Sequence, residues 1–226
     1  MIDLHTFSIV ARDPRAGAFG VAVSTARPAV GALVPFVSLY GGIATQARTN
    51  TDIGRRGIAL LEQGVPIGVA LRTLLEGDPD REIRQVHGVD SHGAFCHTGA
   101  DCVSWCGHHE GADFTVAGNM LAGPEVLPAM AAAYRRAREE GRELSEGLLL
   151  GLEAGQAAGG DKRGKQSAAL LVASPEPRGY HNLRVDDHAD PVAELRRVYD
   201  IVVQHSLKIE QEYGPEGLRL FGRVKY

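Results

Sequence analysis

A chain of 226 residues with 44% hydrophobic content can bury a sizeable core, and its 28 glycines are spread along the sequence instead of forming a low-complexity run. The formal net charge of -4, with no local Lys/Arg cluster, excludes a nucleic-acid footprint and points to small molecules or further copies of the chain as partners. No segment approaches the roughly 20 apolar residues that span a bilayer as a helix, and MIDLHTFSIVARDPR lacks the basic start and apolar run of a secretory signal.

HTFSIVAR (His5 to Arg12) and AFGVAVST (Ala18 to Thr25) read as two strands. DPRAG between them opens on Asp-Pro and exits on Gly, which makes the pair a hairpin. LVPFVSLY and GGIATQ are further strands, the second ending on polar Thr45 and Gln46. The period then changes. NTDIGRRGIALLEQG and VPIGVALRTLLEGD are helical, with Pro66 in a first turn and Ile67, Leu71, Leu74 and Leu75 on one face. Strands resume at IRQVHGVD and GAFCHTG, around a tight turn at Ser91 to Gly93, and CVSWC and DFTVAGN extend the sheet pattern. Two helices follow, PEVLPAMAAAYRRAREE and ELSEGLLLGLEAGQAAG, then the strand QSAALLVAS. A last helix from Asp190 to Tyr213 starts on an Asp-Pro cap and carries Leu195, Tyr199 and Val202 at helical spacing. Runs of strands alternating with runs of helices predict layered α+β packing. The sequence reads as one domain over residues 1–226, with 176–226 as a C-terminal strand and helix appendage.

Within it, GGDKRGKQ (Gly159 to Gln166) falls one residue short of the phosphate-loop pattern G-x-x-x-x-G-K-[ST]. A phosphate loop leaves a strand and enters a helix, whose amides face the anion. Here the glycines follow a helix and precede a strand, and Gln166 stands at the magnesium-binding hydroxyl position. The match is accidental, and Gly159 and Gly160 read as a helix stop. What remains is a charged helix-to-strand loop in which Asp161 and Arg163 are candidates to grip a charged substrate group, since the Arg fork binds carboxylates bidentately.

Ser24, Thr25, Thr45, Gln46, Thr49 and Asn50 are polar residues where apolar runs end, either lining a cleft or simply terminating strands. Asn119 in GNMLAG is a helix cap or an oxyanion donor. Thr6 shares a strand face with Ser8; only with the five preceding residues removed would its own α-amine serve as base for its hydroxyl. His5, its neighbour, would face the opposite side of the strand. Cys96-His97 and Cys102-x3-Cys106 with His108 and His109 invite a zinc reading. In a strand-like run, however, Cys102 and Cys106 stand roughly 13 Å apart, too far for one ion. Soft buried thiols and no metal are expected. An odd set of three cysteines without a signal sequence fits a reduced, cytoplasmic protein.

HTFSIVARDPRAGAFGVAVSTARPAVG, GGIATQARTN, VAGNMLAG and GLEAGQAAGGDKRGKQSAALLV together resemble a domain-of-unknown-function family, number 1028, placed near the N-terminal-nucleophile hydrolases. The resemblance spans about Leu4 to Val172. It implies a four-layer αββα sandwich, two stacked antiparallel sheets between helical layers, and hydrolysis of a small amide or peptide-like substrate without a cofactor. It carries the nucleophile onto Thr6, a tuning role onto Ser24 or Thr25, and oxyanion assistance onto Asn119. It carries the grip on the substrate's charged groups onto Asp161 and Arg163; Thr25, Thr45, Gln46, Asn50 and Gln166 are further candidates for substrate contacts. Because five residues precede Thr6, the alternative is an unprocessed relative that binds a ligand without catalysis. A homodimer or higher homo-oligomer is the expected assembly.

Overall fold

The computed structural model describes residues 3–4 and 6–221; His5, set against Thr6 above, lies outside the described residues. In chain order the elements begin with β1 (Asp3–Leu4), β2 (Thr6–Asp13), β3 (Ala18–Thr25), β4 (Pro35–Ser38) and β5 (Gly41–Arg48). Next come α1 (Thr51–Glu62), α2 (Ile67–Glu76), β6 (Arg84–Asp90), β7 (Ala94–Thr98), β8 (Gly107–Glu110) and β9 (Phe114–Gly118). The chain closes with α3 (Val126–Glu139), α4 (Leu144–Ala157), β10 (Ser167–Ala173), β11 (Asn182–Val185) and α5 (Pro191–Phe221).

All strand pairings are antiparallel and make two sheets. The first runs β1-β5-β6-β7, with β4 also on β5; the second runs β11-β10-β3-β2-β9-β8. Strand alternation sorts the side chains into layers. On β2, Phe7, Ile9 and Ala11 face outward into a cluster with Met130, Tyr134, Leu148 and Leu149 of α3 and α4. Val10 points the other way and packs between the sheets with Val21, Val23, Ala44 and Val89. The far face of the first sheet presents Ile43 and Val86 to Ile53, Leu61, Leu71 and Leu75 of α1 and α2. Helices, sheet, sheet, helices: the αββα sandwich is the architecture of this chain. Helix α1 approaches so closely that a Cβ on Gly54 would stand 2.2 Å from the Phe36 ring, so only glycine fits.

Two local readings are corrected. The segment 102–106 is a loop, not a strand. Its carbonyls at Val103 and Trp105 accept from Met120 N and Leu121 N, so its backbone is spent on the 119–121 turn instead of a ladder. The strand there is GHHE (β8), whose residues show no apolar alternation and which pairs only through the edge of β9. The C-terminal helix runs beyond Tyr213, with a break at Gly214. Strand β11 pairs with β10, and Leu195 and Tyr199 lie in the outer core beside α4. Leu195→Ala is therefore expected to cost about 2–5 kcal/mol, read as a lower denaturant midpoint with an unchanged slope.

Candidate functional site

Register brings three predicted residues to one end of the second sheet. Thr6 opens β2 opposite Thr25 of β3, and on its other side the Asn119 amide donates to the Thr6 carbonyl at 3.0 Å. By alternation Thr6, Ser8, Thr25, Thr115 and Asn119 face the gap between the sheets. Opposite them the first sheet presents Gln46 of β5 and Gln85 and His87 of β6. All eight are fully buried.

The proton positions in this cluster follow from its fixed ends. Gln85 Nε2 donates to two main-chain carbonyls, Gly107 O at 3.0 Å and Gly118 O at 2.9 Å, which can only accept. Its Oε1 is then the acceptor for Gln46 Nε2 and Asn119 Nδ2, each at 2.9 Å. Gln46 must turn its Oε1 to Ser8, whose hydroxyl donates to it at 2.7 Å. Ser8 has spent its proton, so the 2.7 Å contact with His87 Nε2 requires that nitrogen to donate. Burial, with a smaller push from His108, holds the His87 imidazole down to about 3. The ring is neutral, its Nδ1 is bare, and the Thr115 hydroxyl donates to it at 2.8 Å. Ser8 and His87 thus resemble a nucleophile and base but have the wrong polarity: the histidine gives a proton to the serine and cannot take one from it. Sequence reasoning put Ser8 on the Thr6 face without assigning it a role, and missed Gln85, His87 and Thr115. Their only signal is parity on strands whose pairing across the sandwich is not written locally.

Two buried oxygens at this end have no hydrogen-bond partner among the described residues: Thr6 Oγ1 and Asn119 Oδ1. The Asn119 side chain commits an Nδ2 proton to Gln85, which turns Oδ1 away from that hub. Asn119 also lines a cavity of about 190 Å³ together with Ala47, Arg48, Asp101, Cys102 and Val103.

The other predicted residues lie elsewhere or bind one another. Ser24 faces the helix layer, and its hydroxyl donates to Ser167 O at 3.2 Å; one strand cannot point both Ser24 and Thr25 at Thr6. Thr45 turns toward α1 and donates to Asn50 O at 3.3 Å. Asn50 caps α1, accepting from Asp52 N, and donates to Asp78. Asp161 is buried and accepts from Ala26 N at 3.1 Å and from Arg163 Nη2 at 2.8 Å, so the pair predicted to grip a substrate is first a clamp on its own loop. Gln166 donates to Asp187 at 3.0 Å and its amide donates to Thr25 O. The glycines before this loop, Gly159 and Gly160, have φ of 112° and 55° and end α4, as the reversed order of helix and strand requires.

The cysteines are quiet. Burial pushes Cys96 up to about 12 and Cys102 up to about 11, and raises Cys106 as well. Cys102 Sγ donates to Arg84 O and Cys106 Sγ to Cys102 O. Among the described residues no group of three His, Cys, Asp or Glu side chains is placed to hold a metal ion. Nor is any helix among them long and apolar enough to cross a membrane.

Comparison with known proteins adds the following. Residues 6–195 match the model of a family described as a family of unknown function, DUF1028. The chain is 33% identical to protein SPO2555 from Silicibacter pomeroyi, whose crystal structure is assigned to the same family; the match has a TM-score of 0.79 and covers 87% of this chain and 85% of that one. No curated protein matches the chain.

The neutral His87 sets a pH dependence. An unfolded histidine takes up a proton near 6.5, whereas the folded one holds none until about 3, so between these values the unfolded state binds more protons. Stability from this group is complete above 6.5 and falls as pH drops below it. Denaturant unfolding should lose on the order of 1–2 kcal/mol between pH 6.5 and 5 on this account, and His87→Gln should remove that part of the slope. An unchanged slope in the variant would show that His87 is not buried neutral.

Proposed function

The chain belongs to the DUF1028 family, and from that premise we propose that it hydrolyses a small amide or peptide-like substrate with Thr6 as an N-terminal nucleophile. The observation that carries the reading is the Thr6 hydroxyl: fully buried, without a partner among the described residues, at the first residue of a central strand, between Thr25 and Asn119. Leaving such a hydroxyl unpaired costs about 1–3 kcal/mol. Unpaired polar atoms at a strand end are what a reacting group leaves behind.

In the intact chain the Thr6 nitrogen is an amide and has no basicity. The reading therefore includes a maturation step. Thr6 Oγ1 adds to the carbonyl carbon of His5, the carbon–nitrogen bond between His5 and Thr6 breaks, and the nitrogen takes the hydroxyl proton. Water then hydrolyses the resulting ester, leaving a carboxylic acid on His5 and a free hydroxyl and amine on Thr6. That amine, with an ordinary pKa of about 7.7–8.0, is roughly a tenth deprotonated at pH 7 and half deprotonated near pH 8, and serves as the base in turnover. An N–H of the substrate suits the bare Asn119 Oδ1 as its acceptor, and the second Nδ2 proton suits the oxyanion. No cofactor enters, and the three free cysteines suit a reduced cytoplasmic setting.

A second reading rests on the burial itself. Thr6 is 0% exposed in the intact chain, so an uncut chain offers its hydroxyl to no substrate and acts only as a binding protein. Intact mass on fresh and aged protein separates the two. The hydrolase reading expects a species lacking Met1 to His5, no such species and no amide hydrolysis in Thr6→Ala, and a rate that rises with pH and levels off above about 8. Full-length mass throughout, or hydrolysis surviving in Thr6→Ala, removes Thr6 as nucleophile.

A further inference from the structure

The edge of β5 is covered in two pieces. Strand β4 pairs with it from Gly41 to Ala44, and Thr45 N donates to Val34 O just beyond. The last two residues, Ala47 and Arg48, pair instead with β1, in the register Leu4↔Ala47 and Asp3↔Arg48. Two residues later the chain is in the other sheet, with Thr6 opposite Thr25. One residue therefore separates a two-residue strand on one sheet, ending at Leu4, from the first residue of a central strand on the other. Ala47 and Arg48 also line the 190 Å³ cavity that reaches Asn119.

We propose that the Ala47–Arg48 edge is a strand-addition site for the acyl side of an extended peptide, which β1 fills in the intact chain. This rests on the hydrolase reading above for its consequence, though not for its geometry. Residues 3–4 are the chain's own demonstration of the fit: an extended segment antiparallel to β5 that ends two residues before Thr6. Once the bond before Thr6 is cut, only two residues of pairing retain the segment, and a two-residue strand does not hold alone. Its departure uncovers the Ala47–Arg48 edge of β5 beside the cavity, where Arg48 O keeps its bond from Arg84 Nη1 at 2.7 Å, and an uncovered strand edge is the arrangement that takes an added strand. Main-chain pairing supplies the affinity, and the cavity, with Arg48 and Asp101 on its wall, receives a side chain. The substrate class is a peptide extended for at least three residues before the bond cleaved.

The test needs no catalysis. The probe is the chain's own segment, fluorescein-labelled acetyl-Ile-Asp-Leu-His-amide, and binding is read by polarisation. Both proteins carry Thr6→Ala, so the bond before residue 6 stays whole. One has β1 intact; the other carries Asp3→Pro and Leu4→Pro, which remove both β1 donors. A tethered strand competes at an effective concentration in the millimolar range, so the proline chain should bind the probe at least tenfold tighter. A probe N-methylated at Asp and Leu should not bind. Equal or absent binding by a folded proline chain overturns the proposal, as does equal binding of the methylated probe. Should the double variant fail to fold, Leu4→Pro alone is read the same way. The two readings fail separately: probe binding with a natural chain that never loses its first five residues removes the nucleophile and leaves the edge site, whereas a cut chain whose proline counterpart ignores the probe removes the edge site alone.

Discussion

One carboxamide governs the space between the sheets. Gln85 belongs to the first sheet, yet its Nε2 donates to the carbonyls of Gly107 and Gly118, paired residues of the second. Because those acceptors have no alternative role, they fix which end of the amide is which, and every other proton in the cluster follows. Gln46 and Asn119 converge on its oxygen, Ser8 completes the bond to Gln46, and His87 and Thr115 close the chain. A polar cluster buried this completely is stable only when fully paired. Here it is paired everywhere except at the end where Thr6 and Asn119 leave their oxygens bare. The same network that ties the sheets together thus delivers two unpaired atoms to one place.

The Thr6 end is also where the chain changes sheets. A segment that pairs with β5 and then with β3 and β9 within four residues staples the sandwich at that end. Supporting loops reinforce it. Asp161 anchors Ala26 just after β3, Ala122 N donates to Gly160 O, and Lys162 reaches Ser104 O, so the turn after β9 is held from both sides. Residues that sequence reasoning placed in contact with substrate, Asp161 and Arg163 among them, occupy this supporting shell. Their mutual ion pair, with Asp161 buried, fixes the loop that closes the site.

Much of this was legible in the sequence, and the rest was illegible for definable reasons. Periodicity located the helices and the long strands because burial repeats at 3.6 or 2 residues within each element. The false phosphate loop could be dismissed from order alone, and Gly159 and Gly160 do adopt the left-handed conformations of a helix stop. Thr25 and Gln46 were marked as polar residues ending apolar runs, Thr6 as a strand hydroxyl and Asn119 as a cap or oxyanion donor, and register gathers all four in one gap. The same criterion marked Ser24, Thr45 and Asn50, which parity and capping send elsewhere; strand-end polarity does not say which face a residue takes. Ser8 was placed on the Thr6 face but given no partner, because its partners stand 38 and 79 residues away along the chain; Gln85 and His87 escaped notice because their partners lie on the opposite sheet. Apolar spacing in CVSWC suggested a strand, but Val103 and Trp105 are partly exposed at 45% and 37% and cover the site end instead of a core.

Three non-glycine residues in the described chain adopt positive φ, and two of them border the same end: Ala47, at φ 66°, on the cavity wall, and Met120, at φ 49°, directly after Asn119. Each such residue stores on the order of 1–3 kcal/mol of backbone strain. At Ala47 the strain falls where β5 passes from one edge partner to the next, and at Met120 where β9 ends and its asparagine turns inward. Glycine at either position would relax the backbone and stabilise the fold, while letting the wall or the asparagine wander. The side chains at 47 and 120 therefore set rigidity at the site against stability of the whole, and sequence change there trades one for the other.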